Sequence, residues 1–149
     1  RGYALGSGLI HLGKRATPEL ATLAQGVLAD LEEASEETAN LAVSESGEAV
    51  CVEQVQCREL MRMSAKLGAR SPIHASGVGK AMLAAMDARS AAAIVGGHAL
   101  QRYTAHTLTT AAALAKELDA TRARGFAIDD EEHANGMRCV ASTVRPTSS

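Results

Sequence analysis

Residues 72–80, Pro-Ile-His-Ala-Ser-Gly-Val-Gly-Lys, contain the groups best suited to binding a small anion. Pro72 disfavours the helical conformation for the residue before it, so the chain is expected to reach this segment in an extended form. Ser76 is a good helix N-cap, and Gly77 and Gly79 let backbone N–H groups approach a ligand without an intervening Cβ. Unpaired N–H groups at a helix start favour a carboxylate or a phosphate. The segment therefore predicts a helix that begins with an anion site.

The segment has two other possible interpretations. Glycines and a capping serine also begin helices that only pack, and short motifs often match by chance. The sequence Gly77-Val78-Gly79-Lys80 also resembles half of a nucleotide-binding P-loop. That loop requires a glycine five residues before Gly79 and a hydroxyl residue after the lysine. His74 and Ala81 stand at those positions, so the pattern argues against a nucleotide hydrolase.

A second group of reactive side chains is the run Asp129-Asp130-Glu131-Glu132-His133, with Cys139 shortly after it. Carboxylate, imidazole and thiolate groups are zinc ligands, and a cysteine can in principle add to an aldehyde. However, adjacent loop residues seldom converge on one ion, and no neighbouring group obviously activates Cys139. A solvated acidic loop is the simpler interpretation. A zinc-binding or cysteine-dependent enzyme domain that uses Asp129, His133 and Cys139 is the alternative hypothesis.

Length, charge and composition argue against several classes of protein. The 149 residues suffice for one domain with a single core. A net charge of −2 and only three aromatic residues argue against a phosphate-backbone surface and a base-stacking surface. No apolar run is long enough to cross a bilayer, and three cysteines without a C-x-x-C pair fit a reduced, cytoplasmic compartment. Because the chain begins at Arg1 rather than Met, a fragment of a longer protein is expected.

The clearest predicted helix covers residues 17–37, with Thr17 as its cap and Pro18 at its first position. The apolar residues recur at the spacing of one helical face, which predicts that the helix packs into the core. They are Leu20, Leu23, Ala24, Val27, Leu28 and Leu31.

The rest of the chain is expected to combine strands and shorter helices. Strands are predicted at 38–44, 49–56, 60–67, 126–128 and 137–144. Helices are predicted after Ser76, from 88 to 95 and from about 110 to 124. A four-residue loop, 45–48, is expected to join the first two strands as a hairpin. Residues 3–15 predict a short connecting helix that its glycines weaken.

Several segments, taken in order, resemble the effector-binding domain of IclR-family bacterial transcription regulators. They lie at residues 2–6, 60–64, 72–81, 124–133 and 136–141. The resemblance extends from residue 2 to about 144, and several long motifs in order are far more specific than one alone. Within the family, residues 61–64, residues 74–77 and the acidic run most resemble the glyoxylate-responsive acetate-operon and allantoin repressors.

This resemblance implies a GAF-like α+β domain, in which helices pack on a curved antiparallel sheet that carries a small pocket. Residues 1–15 would be a linker helix from an N-terminal winged helix-turn-helix domain, and residues 16–149 the effector-binding domain. Such regulators form homodimers or homotetramers and bind DNA through the N-terminal domain. This chain has no helix-turn-helix, so it is expected to sense an effector and assemble, without enzyme activity, metal or cofactor.

The resemblance also implies which residues contact a small oxoacid such as glyoxylate or pyruvate. Leu60 and Met63 are expected to form apolar walls, and Gly77 and Val78 to offer backbone N–H donors at the helix start. Asp129, Met137 and Cys139 are expected to close the opposite side of the pocket. An N–H cradle for the carboxylate and apolar atoms for the carbon skeleton suit such a ligand. Because an acid repels a carboxylate unless it accepts a hydrogen bond, Asp129 is expected to favour a hydrated aldehyde or a hydroxyacid.

One departure from the family pattern concerns the C-terminus. Family members continue after the strand near Cys139 with a further strand, whose serines complete the carboxylate site, and then a helix. Here the chain passes from Val144 to Pro146-Thr147-Ser148 and ends. Residues are therefore expected to be missing between Val144 and Pro146, with an exposed sheet edge as the consequence.

Overall fold

The computed structural model describes residues 18–57, 66–97 and 99–144. These residues form two compact units. The first contains residues 18–41, 51–57 and 66–68, and the second contains 42–50, 69–97 and 99–144. Three predictions lie wholly or largely outside the described residues. They concern the connecting helix at 3–15, the strand at 60–67 with Leu60 and Met63, and the departure after Val144.

Helix α1 spans Pro18–Ser35 and confirms the predicted helix. The predicted core packing is wrong for most of its apolar face. Leu28 is buried, with 5% of its surface exposed, whereas Leu23 and Val27 are 77% and 61% exposed. Leu20 and Leu31 are exposed as well. Hydrophobic periodicity identifies an amphipathic helix but does not tell what covers its apolar face.

Strands β1 (Ala39–Glu45), β2 (Glu48–Val55) and β3 (Arg70–Pro72) form a three-stranded sheet in that order. The predicted hairpin between β1 and β2 is confirmed, but its turn has two residues rather than four. Ser46 and Gly47 both have positive φ, 53° and 81°. Turns of this kind match the twist of the two strands that they join. β3 pairs antiparallel with β2 and ends shortly before the next helix.

Helices α2 (Gly77–Ala85), α3 (Ala88–Gly96) and α4 (Ala111–Arg124) confirm the three later predicted helices. Each begins after a residue whose side chain accepts a hydrogen bond from a backbone N–H of the first turn, which satisfies one of the unpaired donors there. These N-caps are Ser76, Asp87 and Thr110. The buried apolar cluster around the helices consists of Ile73, Leu83, Ala91, Leu114 and Leu118.

Strands β4 (Ala127–Asp130) and β5 (Arg138–Ala141) form a separate antiparallel pair. They confirm the last two predicted strands, although β5 is shorter than predicted. Helix α2 packs against α4 and against both strands, all within the second unit. The combination of helices with antiparallel strands confirms the predicted α+β class. No helix in the described ranges is both long and apolar enough to span a bilayer.

Candidate functional site

The start of α2 is held by its capping serine. Ser76 Oγ accepts a hydrogen bond from Gly79 N at 3.2 Å and donates one to Pro72 O at 2.7 Å. The N–H groups of Gly77 and Val78 come before any intrahelical acceptor is available, so they are the donors that a helix start offers to an anion. The predicted cap and helix start are therefore present.

Glycine is needed at two positions here because other backbone segments come very close. A Cβ on Gly77 would lie 3.1 Å from Cys139 Sγ and 3.4 Å from Cys139 O. A Cβ on Gly79 would overlap the backbone of Ile73. The first contact places the start of α2 directly against β5. Two of the predicted ligand residues, Gly77 and Cys139, therefore lie side by side.

The β4–β5 pair adds a third predicted residue to this place. Asp129 lies directly opposite Cys139 in the antiparallel register, so both side chains are on the same face. This face is turned inward, since Asp129 has no exposed surface. Ile128 and Val140 form the neighbouring pair and point outward, where they are 37% and 69% exposed.

The turn after β4 corrects the expectation of a solvated acidic loop. We call residues 129–137 the acidic turn. Asp129 Oδ1 accepts hydrogen bonds from Glu132 N at 2.8 Å and from His133 N at 3.4 Å. Glu131 N donates to Met137 O at 3.0 Å, which closes the turn through another predicted residue. Asp129 and Glu132 are both buried, so these two acids are not solvated. The hydrogen bonds that Asp129 accepts instead help to hold the turn in its conformation.

Lys80 is an important residue that the sequence pattern did not identify. Its side chain has no exposed surface, and its Nζ forms an ion pair with Glu132 Oε1 and lies 3.8 Å from Glu117 Oε1. The apolar residues Val78, Ala81, Met82 and Ala85 recur at the spacing of one face of α2, and Ala81 is buried whereas the other three are half-buried. A lysine at this helix position gives no local signal of burial, because its partners come from distant parts of the chain.

A loop between α3 and α4 fixes the acidic turn from the other side. Thr104 Oγ1 donates to Glu131 O at 2.7 Å, and Thr107 Oγ1 donates to Glu132 O at 2.6 Å. The ring of Tyr103 lies 5.4 Å from that of His133, in an edge-to-face arrangement. The turn that carries Asp129 is therefore held by side-chain hydrogen bonds from outside it.

Burial raises the pKa of two reactive groups at this place. It raises the pKa of the Asp129 carboxyl, while the N–H groups of Glu132 and His133 and the charge of Lys80 act in the opposite direction. Burial and the negative charge of Asp129 raise the pKa of the Cys139 thiol. A neutral thiol is a poor nucleophile and a poor metal ligand. Within the described ranges, no group of three His, Cys, Asp or Glu side chains could hold a metal ion. These findings give the zinc or cysteine-enzyme alternative no support.

A separate cleft of about 480 Å³ lies at the other end of α2. Its described lining includes Ala85, Thr121, Arg122, Phe126 and Ser142, and none of the predicted ligand residues that the structure describes. The residues that the structure does bring together are Gly77, Asp129 and Cys139. Val78 and Met137 lie on the adjoining backbone, and Leu60 and Met63 lie outside the described ranges.

Comparison with known proteins gives a consistent picture. The family profile "Bacterial transcriptional regulator IclR C-terminal" matches residues 16–149. The chain is 39% identical over 146 residues to the transcriptional repressor IclR of Escherichia coli K12, covering 95% of this chain and 53% of that one. It is 43% identical over 127 residues to the acetate operon repressor of Salmonella typhimurium, covering 84% and 46%. It is also 43% identical over 110 residues to the repressor AllR of Klebsiella pneumoniae, covering 74% and 40%.

Solved structures share the same fold. The IclR protein of Thermotoga maritima matches with a TM-score of 0.86 and 27% identity, over 93% of this chain and 57% of that one. The inducer-binding domain of PobR from Acinetobacter, a double mutant in complex with 3-hydroxybenzoic acid, matches with a TM-score of 0.73 and 26% identity, over 82% and 72%. The chain spans about half the length of the curated relatives that it matches.

Proposed function

The chain belongs to the IclR family of bacterial transcriptional regulators, of which it carries the C-terminal effector-binding domain, and we propose that its effector is a small oxoacid such as glyoxylate or pyruvate. Its curated relatives are transcriptional repressors rather than enzymes, so the domain senses a molecule and does not transform one. Effector binding would control DNA binding by the N-terminal domain of a full-length cytoplasmic regulator, by shifting the population of two states.

The observation that carries this proposal is the approach of Gly77 to Cys139, with Asp129 opposite Cys139. A Cβ on Gly77 would meet Cys139 Sγ at 3.1 Å, and Asp129 and Cys139 pair across β4 and β5. The N–H groups at the start of α2 suit a carboxylate, and the thiol beside them is neutral and weakly polar. A small carboxylic acid is the kind of ligand that this combination of groups suits.

The remaining ligand residues are assigned by the same proposal. Val78 supplies the second N–H donor, and Met137 closes the side of the acidic turn. Leu60 and Met63 form the apolar wall against the carbon skeleton. The PobR domain was crystallised with a hydroxy-substituted carboxylic acid, which supports a carboxylic acid as the general class of ligand for this fold.

Asp129 determines which small acid is preferred. Its Oδ1 already accepts two backbone hydrogen bonds, so Oδ2 is the oxygen that remains for a ligand. As a carboxylate, that oxygen accepts a hydrogen bond and therefore favours a ligand hydroxyl. Glyoxylate hydrate and glycolate offer this hydroxyl, whereas methoxyacetate does not. Equal affinity for glycolate and methoxyacetate would contradict this role of Asp129.

Isothermal titration of the domain with glyoxylate, pyruvate and acetate tests the function. We expect at least one oxoacid to bind more tightly than acetate, and both Asp129→Ala and Cys139→Ser to weaken binding. Asp130→Ala is the matched control, because Asp130 is the next residue along β4 but is exposed and faces away. No heat with any of the acids, under conditions where the domain is folded, would contradict the proposed effector class.

The domain is also proposed to assemble as a homodimer or homotetramer. The exposed apolar residues of α1 support this, since Leu20, Leu23, Val27 and Leu31 recur along one side of the helix. Light scattering after size-exclusion chromatography measures the assembly directly. We expect an oligomer that Leu23→Glu weakens. A monomer at high protein concentration would contradict assembly through this chain alone.

A further inference from the structure

A group of charged side chains lies behind the candidate site. Lys80 Nζ contacts Glu132 Oε1 and lies 3.8 Å from Glu117 Oε1, and Arg124 Nη2 lies 2.5 Å from the same Glu117 oxygen. Lys80 has no exposed surface, and the side chain of Glu132 is only 10% exposed. Asp129 joins this group through the hydrogen bond from Glu132 N to its Oδ1. We call these five residues the charge cluster.

The charge cluster contains one more acid than base. When every member is ionised, Asp129, Glu132 and Glu117 carry three negative charges against the two positive charges of Lys80 and Arg124. Two oxygens, Asp129 Oδ2 and Glu132 Oε2, are buried and have no hydrogen-bond partner among the described residues. A buried charge without compensation is costly, and uptake of a proton is the usual way to remove it.

The remaining groups around Asp129 do not supply the missing charge. Cys139 lies opposite on β5, where burial and the charge of Asp129 raise the pKa of its thiol, and a thiol carries no positive charge. His133 follows in the acidic turn, and only its protonated ring would add a positive charge. On α2, the ammonium group of Lys80 is directed to Glu132 rather than to Asp129. An anion that binds at the start of α2 therefore approaches a buried acid whose nearest cation is already engaged.

We propose that Lys80 and Glu132 are positioning residues for the effector site, which hold the buried cation away from Asp129 so that a carboxylate effector binds together with one proton taken up by the Asp129–Glu132 pair. This inference rests on the proposed function and adds to it the charge state of the bound complex. The proton is assigned to the pair, because coupled acids take up protons jointly, and with the proton on Glu132 the Asp129 Oδ2 stays a carboxylate oxygen that accepts a ligand hydroxyl.

The electrostatics of the free domain agree with this geometry. Burial raises the pKa of both Asp129 and Glu132, and in Glu132 the charges of Asp129 and Glu117 add to the effect while Lys80 opposes it. An effector carboxylate brings a further negative charge and raises the pKa of the pair again. Binding in the pH range between the free and bound values therefore takes up a proton, and affinity improves as the pH falls.

Isothermal titration with pyruvate in buffers of different ionisation enthalpy measures the number of protons taken up. We expect pyruvate binding to take up protons, to a maximum of about one per bound pyruvate, within the pH range over which the Asp129–Glu132 pair titrates. The dissociation constant should then rise by up to about tenfold for each pH unit. Binding of pyruvate without proton uptake at every pH at which the domain is folded would overturn the inference but leave the proposed function intact.

Variants separate this positioning role from a merely structural one. Asp129→Asn keeps an acceptor for both backbone N–H groups and should abolish proton uptake. Glu132→Gln releases Lys80 toward Asp129 and removes a neighbouring negative charge, so the pH profile should move to lower pH. Asp130→Asn, the exposed control, should behave as wild type. A pH profile that is the same in Glu132→Gln and in wild type would overturn the proposal.

A measurement on the free domain distinguishes the two proposals if no acid binds. The ¹³C carboxyl resonances of the aspartates and glutamates are followed by NMR as a function of pH. We expect one carboxyl that titrates above the ordinary range and that disappears or moves down in Glu132→Gln. With this titration present, absent binding would refute only the effector class. If all carboxyls titrate in the ordinary range, the proposed excess of negative charge in the charge cluster would be overturned.

Discussion

Lys80 of α2 and Glu132 of the acidic turn form an ion pair across 52 residues of sequence, and the lysine side chain has no exposed surface. This pair connects the helix whose start offers N–H donors to the turn that carries Asp129. Because both partners are buried, replacing one of them should affect stability differently from replacing both. A buried charge left without its partner is far more costly than the loss of the whole pair.

Lys80→Met should therefore lower the free energy of unfolding by about 3–5 kcal/mol, since it leaves Glu132 buried beside Glu117. The double variant Lys80→Met/Glu132→Gln should lose less than the sum of the single losses, by about 2 kcal/mol. Urea unfolding followed by circular dichroism measures all of these values.

The exposed pair of Arg138 and Asp130 is the control for this cycle. Its atoms are 2.7 Å apart, but the two side chains are 74% and 62% exposed. Arg138→Met, Asp130→Asn and their double variant should give additive effects, because water screens an exposed pair. Additive effects at Lys80 and Glu132 as well would contradict the importance of burial.

We expect substitution by alanine to have opposite effects on stability at two glycines. Gly79→Ala in α2 should destabilise the domain by at least about 2 kcal/mol, because the new Cβ would overlap the backbone of Ile73. Gly26→Ala in α1 should stabilise it by about 0.5–1 kcal/mol, since its Cβ would meet nothing within 4 Å and alanine favours helix. Urea unfolding compares the two variants. Equal effects would show that helix propensity, and not the close approach, decides both.

Local chemistry predicted much of the second unit. Ser76 and Asp87 cap helices by side-chain hydrogen bonds within three residues, so the sequence contains the whole signal. The resemblance placed Gly77, Asp129 and Cys139 at one site, and the structure brings them together. Their roles as effector ligands stay predictions.

What the sequence could not predict depends on distant contacts. Lys80 follows two glycines and looks like an ordinary surface lysine, and only the fold supplies Glu132 and Glu117. The burial of Asp129 follows from the register of β4 against β5, while the acidic composition of the turn pointed to solvent. In α1, periodicity gave the helix correctly, but burial of Leu23 required a covering surface that periodicity does not specify.

Cys139 reports on the charge of Asp129 through its reactivity. Burial and the Asp129 charge raise the thiol pKa, so alkylation by iodoacetamide should be slower than for an exposed cysteine. Asp129→Asn removes the charge and should accelerate the reaction several-fold, whereas Asp130→Asn should not. Peptide mass spectrometry distinguishes Cys139 from Cys51 and Cys57. The same rate in Asp129→Asn and wild type would place Cys139 outside the influence of Asp129.

The pH dependence of stability tests the burial of Asp129. A carboxyl whose pKa is higher in the folded state binds more protons there than in the unfolded chain. Its contribution to stability is therefore fully present below the ordinary pKa of about 4 and is lost as the pH rises through the folded value. Asp129→Asn lacks this loss, so its unfolding free energy relative to wild type should rise as the pH increases above that ordinary value.

Asp130→Asn provides the comparison for this pH experiment, because it removes the same charge from the exposed face of β4. Its difference from wild type should stay nearly constant over the same range, since water solvates that carboxylate in both states. A difference for Asp129→Asn that stays constant or falls as the pH rises would mean that the Asp129 carboxylate is compensated in the folded domain. A positive charge from outside the charge cluster would then have to balance its excess carboxylate.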